Sequence, residues 1–123
     1  MPENPIDTYQ QIEKEALTGR ELEAAVLSKA ATRLRAAQDQ WDSALESGLL
    51  EEVLRYNQRI WTVLQVELAS EGNPLPQDLK QNLLSLSLLV DKRTFEVMSY
   101  PSADKLDVLI SINNNIAAGL RGQ

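Results

Sequence analysis

Charged side chains at helical spacing are the first candidates for chemistry in this chain. Arg55 and Arg59 are four residues apart, so they share one face of a helix and could grip RNA or an acidic helix. Glu51 and Glu52 stand one turn earlier, and ion pairing with them is the simpler interpretation of the two arginines. The run Asp91–Arg93 is typical of a solvated helix face. These residues alone do not indicate a binding site.

Catalytic groups are scarce. The chain contains no Cys and no His, so it lacks a thiolate nucleophile, an imidazole base and the usual zinc ligands. The acid pairs Glu21–Glu23 and Glu51–Glu52 are one or two residues apart and do not converge on one helix face. No glycine-rich phosphate loop is present. We therefore expect a protein that is not an enzyme and that uses no metal or other cofactor.

Length and charge limit the possible partners. The 123 residues correspond to one domain, residues 1–123, which is long enough to bury a core. The net charge of −6 arises in residues 1–52, which hold eleven acids against five bases, whereas residues 53–123 hold seven of each. Because no region concentrates Lys and Arg, direct nucleic-acid binding is disfavoured.

Membrane and export signals are also not indicated. Residues 1–7 are polar and contain two prolines, with no apolar run behind them. The longest apolar-rich stretch, LLSLSLLV at 83–90, is too short to cross a bilayer. We expect a cytoplasmic protein that makes no membrane contact.

The spacing of apolar residues predicts an all-α fold, a small antiparallel bundle of four main helices plus a short N-terminal helix. The short helix is expected near residues 8–17, after an extended lead-in over 1–7. Thr18 and Glu21 form a capping box that predicts a new helix start. Short loops make successive helices antiparallel neighbours.

The four main helices have distinct signals at their ends. Gly48 suits a left-handed helix stop, and Pro76 suits the first turn of the next helix. Ser102 is a candidate N-cap for the last helix. The predicted ranges are 19–46, 49–70, 77–99 and a final helix after Ser102.

Amides interrupt two of the apolar stripes. Asn57 lies four residues before Trp61 on the main apolar stripe of the predicted helix 49–70, and Asn113 holds a similar place in the last helix. A buried amide without partners costs about 1–3 kcal/mol, so each should find a hydrogen bond. Fixing the register of the bundle is the favoured interpretation, and contact with a partner is the alternative.

Two helices have apolar residues on more than one side. The predicted helix 49–70 has an extra stripe of Tyr56, Ile60 and Val63. The predicted helix 77–99 has an extra stripe of Leu84, Leu88 and Phe95. A helix that is apolar on two sides is either central in its fold or part of an interface. These six residues are therefore candidate partner contacts, with core packing and a homodimer seam as the alternatives.

Four segments follow one another in a characteristic order: Tyr9 with GRELEAAVLSKAATRL, YNQRIWTVLQVEL, EGNPLPQDLKQNLLSLSLLVDKRT and LDVLISINNNIAAGL. Together they resemble the FlaF family of alphaproteobacterial flagellar regulators. Asn114 stands where the family pattern has Arg. The matching positions are Arg20, Glu23 and Ala24; Asn57 and Trp61; Gly72, Asn73, Leu75 and Pro76; and Leu109, Ile112, Asn113, Gly119 and Leu120.

The resemblance implies a non-enzymatic cytoplasmic regulator that promotes flagellin synthesis or secretion, opposite the translational repressor FlbT. Its most concrete form is a flagellin-binding export chaperone, which needs an apolar groove for an amphipathic segment. The alternative is a post-transcriptional regulator that acts on flagellin mRNA, directly or through FlbT. Such a regulator needs a basic, aromatic-bearing surface, which this acidic chain lacks.

Overall fold

The computed structural model describes the backbone of residues 5–122 and the side chains of residues 20–122, and this part of the chain contains helices and no strand. A 3₁₀ turn over Ala103–Lys105 precedes the last helix. The predicted all-α fold is confirmed. The helices are α1 (Pro5–Asp39), α2 (Trp41–Ser47), α3 (Leu49–Ala69), α4 (Gln77–Ser99) and α5 (Leu106–Leu120).

The four long helices form an up-and-down bundle in which each has two neighbours. α1 packs against α5 and α3, and α4 closes the ring between α3 and α5. α1 and α5 are antiparallel, because Gln38 near the end of α1 bonds to Asp107 near the start of α5. α3 and α4 are also antiparallel, because Leu54 lines one cavity with Met98 and Leu68 lines another with Leu83. The short α2 packs on α3 at one end.

The N-terminal helix differs from the prediction. α1 is continuous through Thr18 and Gly19, so the expected short helix and the capping-box start at Thr18 are wrong. The lead-in also ends sooner, because the helix begins at Pro5; residues 1–4 lie outside the described part. Once a helix has formed, each added residue contributes a backbone hydrogen bond, and an internal Gly costs only about 1 kcal/mol.

The interruption lies further along the chain. Gln40 adopts φ −118° and ψ 44°, which separates α1 from α2 inside the range predicted as one helix, 19–46. Neither Gly nor Pro stands there, so the local sequence contains no breaker signal. Gly48 does end α2 as predicted, in the left-handed conformation at φ 83°.

The apolar stripes of α1, α3 and α5 form the core. Alanines on α1 allow α5 to approach closely, and the bulky Trp61 of α3 is fully buried in the same core. The two amide positions on the predicted stripes, Asn57 and Asn113, are also fully buried. The stripes predicted for these helices therefore face inward.

Of the apolar stripe that helical spacing predicts for α4, Val90 and Val97 are fully buried. Leu79 is 43% exposed, whereas Ser87 and Thr94 are buried. Their hydroxyls donate to Leu84 O and Val90 O of the same helix, at 2.7 Å each. Because both hydroxyls are satisfied within their own helix, they can occupy core positions at little cost.

The signals at the starts of α4 and α5 have different outcomes. Pro76 stands immediately before α4, next to its first turn as predicted, and its carbonyl accepts the Lys80 N–H at 3.0 Å. Ser102 precedes the 3₁₀ turn, and its hydroxyl donates to the Asp104 carboxylate instead of accepting a backbone N–H. The range predicted for α4, 77–99, is confirmed.

Candidate partner-binding site

The six candidate contact residues lie on two helices, three on α3 and three on α4. Val63 belongs to a groove against α1, whereas Gln65 faces α4 and donates to Asp91 Oδ2 at 3.2 Å. Two residues apart on a helix means about 160° around its axis. The stripe of Tyr56, Ile60 and Val63 and the stripe on α4 are therefore two surfaces and not one.

The first surface is an apolar groove between α1 and α3, which we call the α1–α3 groove. Its cavity volume is about 290 Å³. Val63 is 57% exposed, while Tyr56 and Ile60 are half-buried and Ile60 packs against the core. The lining residues are Glu23, Val26, Tyr56, Arg59, Ile60, Val63, Leu64 and Glu67.

An aromatic contact closes one end of the α1–α3 groove. The guanidinium carbon of Arg33 lies 4.4 Å from the centre of the Tyr56 ring. This cation–π contact orients the ring. Arg59 lines the same half of the groove, so positive charge borders that end.

Two carboxyl groups meet at the opposite end. Glu23 of α1 and Glu67 of α3 both line the groove here, one from each helix. Burial, a hydrogen bond with Glu67 and the negative charge of Glu67 raise the pKa of Glu23 to about 7, while Arg20 acts in the opposite direction. Glu23 can thus hold a proton near neutral pH.

A second cavity, the end cavity, lies beyond the carboxyl pair and has a volume of about 220 Å³. The loop between α3 and α4 forms one wall, and the C-terminal part of α5 forms another. Glu23, Leu64 and Glu67 line both the end cavity and the α1–α3 groove, so the two are adjacent. Its remaining lining residues are Arg20, Trp61, Leu68, Asn73, Pro74, Leu75, Leu83, Ile116 and Leu120.

Asn73 shapes the loop that borders the end cavity. Its Nδ2 donates to Glu67 O at 3.1 Å, and its Oδ1 accepts the Leu75 N–H at 3.0 Å. The side chain therefore ties the loop to the last turn of α3 and forms a local turn. Gly72 and Pro76, the other loop residues singled out from the sequence, are exposed.

The second apolar surface is the α4 edge, formed by Leu84, Leu88 and Phe95. These residues are seven, three and four positions from Asp91, so they lie beside it on α4, away from the buried face of the helix. Leu88 is 69% exposed and Phe95 70% exposed, while Leu84 is half-buried. Neither of the two exposed residues belongs to the core.

The buried amides form a network between helices. Trp61 Nε1 donates to Asn113 Oδ1, and Asn113 Nδ2 donates to Asn57 Oδ1 at 2.6 Å. Asn113 Nδ2 also lies 3.3 Å from Leu27 O on α1. This arrangement fits the predicted role in fixing helix register. Within the described residues, Asn57 Nδ2 finds no acceptor.

Two of the charged candidates, Arg55 and Arg93, form local ion pairs, whereas Arg59 lines the α1–α3 groove. Arg55 Nη2 lies 2.6 Å from Glu51 Oε1, as the simpler interpretation predicted, and both side chains are exposed. Arg93 pairs with Glu96 at 2.8 Å. Neither pair adjoins the α1–α3 groove.

The carboxyl pair was missed in the sequence, where only acids close together in the chain were compared. A signal was present: Glu23 stands four residues before Leu27, and Glu67 stands four after Val63, so each extends an apolar stripe. Their meeting depends on the packing of α1 against α3. Among residues 20–122, no group of three or more acidic side chains is arranged to hold a metal ion.

A family model described as flagellar protein FlaF matches residues 5–120. The chain belongs to the FlaF family. Neither a curated protein sequence nor a solved structure is significantly similar to it. Family membership makes it a flagellar protein. No helix in the described part combines the length and apolarity needed to cross a bilayer.

Several residues that carry the FlaF resemblance converge in space. Although they come from four separate segments of the sequence, they line the end cavity. They are Arg20, Glu23, Trp61, Asn73, Leu75 and Leu120.

Proposed function

We propose that this FlaF-family protein promotes flagellin synthesis or secretion by binding flagellin in the cytoplasm as an export chaperone, without catalysing a reaction. Flagellin would be held through its helix-forming terminal region. FlbT is a further candidate partner. The α1–α3 groove is the proposed principal site, and the α4 edge is a proposed second contact.

The exposure of large apolar side chains on a bundle with a separate core carries this proposal. Val63, Leu88 and Phe95 are more than half exposed, at 57%, 69% and 70%. Exposed apolar grooves on stable helical proteins commonly receive the apolar face of an amphipathic helix. A chaperone must shield such a face until export.

The charge of the chain favours a protein partner over RNA. The net charge is −6, and the lining of the α1–α3 groove includes two carboxyl groups. An RNA phosphate backbone would be repelled by this surface. Regulation of flagellin mRNA translation is the alternative function, and the test below distinguishes it from flagellin binding.

The test is co-purification of flagellin with tagged protein from a flagellated host, followed by binding of purified components. Val63→Asp places a charge in the α1–α3 groove and should weaken binding at least about ten-fold, or 1.4 kcal/mol. Val66→Asp is the matched control, because Val66 is 68% exposed and lies on the outer face of α3. It should bind like the wild type.

The α4 edge is tested separately with Leu88→Ser/Phe95→Ser. Both side chains are exposed, so the helical signal and melting temperature should change little while flagellin retention falls. Equal retention by all variants would contradict both contact surfaces. Recovery of the flagellin leader RNA without flagellin would instead support the regulator of translation.

A further inference from the structure

The α1–α3 groove and the end cavity form one path across the bundle surface. Both are lined by Leu64, and the carboxyl pair of Glu23 and Glu67 stands where they meet. Apolar side chains border the pair on each side, Ile60 towards the groove and Leu68 towards the cavity. A ligand that follows this path therefore passes directly over two carboxyl groups.

Charge along this path is polarised. Arg59 lines the groove, and Arg33 lies over the Tyr56 ring at 4.4 Å. At the other end stand Glu23 and Glu67, with Arg20 on the far side of the pair in the end cavity. A helical ligand thus meets positive charge at one end of its apolar contact and negative charge at the other.

The carboxyl pair is an unfavourable arrangement when nothing covers it. Glu23 loses part of its hydration between α1 and α3 and faces the negative charge of Glu67. An incoming ammonium or guanidinium group would remove the repulsion and form charge-assisted hydrogen bonds with both oxygens. The apolar surroundings would strengthen those bonds by excluding water.

We propose that the Glu23–Glu67 pair is the specificity determinant of the groove: it accepts a Lys or Arg side chain from an amphipathic partner helix whose apolar face lies on Tyr56, Ile60 and Val63. The partner's basic residue points towards the end cavity. This deepens the proposed function, on which it rests, by naming the chemistry of the segment that is bound.

The length of the path sets the length of the segment. Tyr56 and Glu67 are eleven residues apart on α3, or about 16 Å along its axis. A partner helix of about three turns covers that distance. Its apolar residues should recur every three or four positions, with the basic residue about one turn beyond the last of them.

The experiment uses full-length protein and three labelled amphipathic peptides of about four helical turns. The peptides share one leucine stripe and carry Lys, Gln or Glu at the position one turn beyond it. Fluorescence anisotropy gives Kd for each. We expect the Lys peptide to bind about ten-fold more tightly than the Glu peptide, and the preference should weaken as salt rises.

Glu23→Gln/Glu67→Gln removes both charges while keeping the side-chain shape. The ratio between the Lys and Glu peptides should fall to near one, while the Kd of the Gln peptide stays within about two-fold, about 0.4 kcal/mol. Glu46→Gln/Glu51→Gln makes the same charge change near Gly48, at the other end of the bundle, and should leave the ratio unchanged. Should the double variant fail to fold, Glu67→Gln alone should reduce the ratio, because Glu67 is exposed.

The outcomes separate this inference from the proposed function. If wild-type protein retains flagellin but binds the three peptides equally, the inference is wrong and the proposed function stands. If it prefers the Lys peptide but does not retain flagellin, the charge selectivity stands and the flagellin partner is wrong. A preference that survives Glu23→Gln/Glu67→Gln also overturns the inference.

Discussion

Trp61 Nε1 donates a hydrogen bond of 2.9 Å to Asn113 Oδ1 in the centre of the bundle. The residues are on α3 and α5, which lie diagonally opposite each other. Asn113 Nδ2 reaches α1 as well, through Leu27 O at 3.3 Å. One amide therefore connects three helices.

Asn113→Ala should destabilise the bundle strongly. It leaves the Trp61 N–H and the Asn57 Oδ1 without their partner in a water-excluded core and also creates a small void. We expect a loss of about 3 kcal/mol in the free energy of unfolding, measured by urea denaturation. Asn114→Ala is the control: Asn114 is exposed, so its cost should stay below about 0.5 kcal/mol. Equal losses would contradict the role of the network.

Glu23 should make stability depend on pH. Its pKa is about 7 in the folded state against an ordinary value of 4.5, so the folded protein binds an extra proton between these two pH values. Stability should therefore fall as pH rises from 4.5 to 7 and then stay level. The groups facing this carboxyl are Arg20 on α1 and Arg59 and Glu67 on α3; the remaining end-cavity lining from the loop, α4 and α5 does not titrate.

Glu23→Gln should remove most of that dependence. After allowance for solvent screening, we expect the variant to gain about 1 kcal/mol at neutral pH relative to the wild type and less at acidic pH. Thermal unfolding across this pH range measures the difference. If the melting temperatures of the wild type and the variant changed equally between acidic and neutral pH, Glu23 would not be the source of the pH dependence.

Asn73→Ala should loosen the wall of the end cavity. It removes the hydrogen bonds to Glu67 O and Leu75 N, at a cost of about 1–2 kcal/mol. Amide hydrogen exchange should rise first at Leu75, whose N–H loses its acceptor. Asn82→Ala, at an exposed position of α4, should leave that exchange unchanged.

Gly48→Ala tests the turn between α2 and α3. Gly48 has φ 83°, and a Cβ there meets open space, so the cost should come from the backbone alone. We expect about 1 kcal/mol, measured by chemical denaturation. Gly72→Ala provides the contrast, because the nearest atom to a Cβ there is Ser70 Oγ at 4.0 Å and no left-handed conformation is required. It should be neutral or slightly stabilising.

Part of the candidate site could be predicted because it depends on local pattern. The exposed residues Leu88 and Phe95 stand out in the sequence because they fall opposite the inward stripe of an amphipathic helix. Their separation from Val63 could not be predicted in this way. It depends on which helix packs against each side of α3, and the sequence of a single helix does not specify its neighbours.

The helix ends show the same division. The range 77–99 is delimited by Pro76 and Tyr100–Pro101, which are strong local signals. At Thr18 a capping signal exists, yet α1 continues through it. A capping sequence marks a position where a helix can begin. Whether the helix begins there depends on the contacts that the neighbouring residues make in the fold.

By itself, the sequence determined an all-α bundle, the inward faces of α1, α3 and α5, and burial of Asn57 and Asn113. These properties follow from apolar periodicity, which acts over a few residues. Only the tertiary structure decided that Ser87 and Thr94 enter the core in place of Leu79, and that Glu23 meets Glu67. Such contacts join residues far apart in the chain, so they arise from the packing of whole helices against one another.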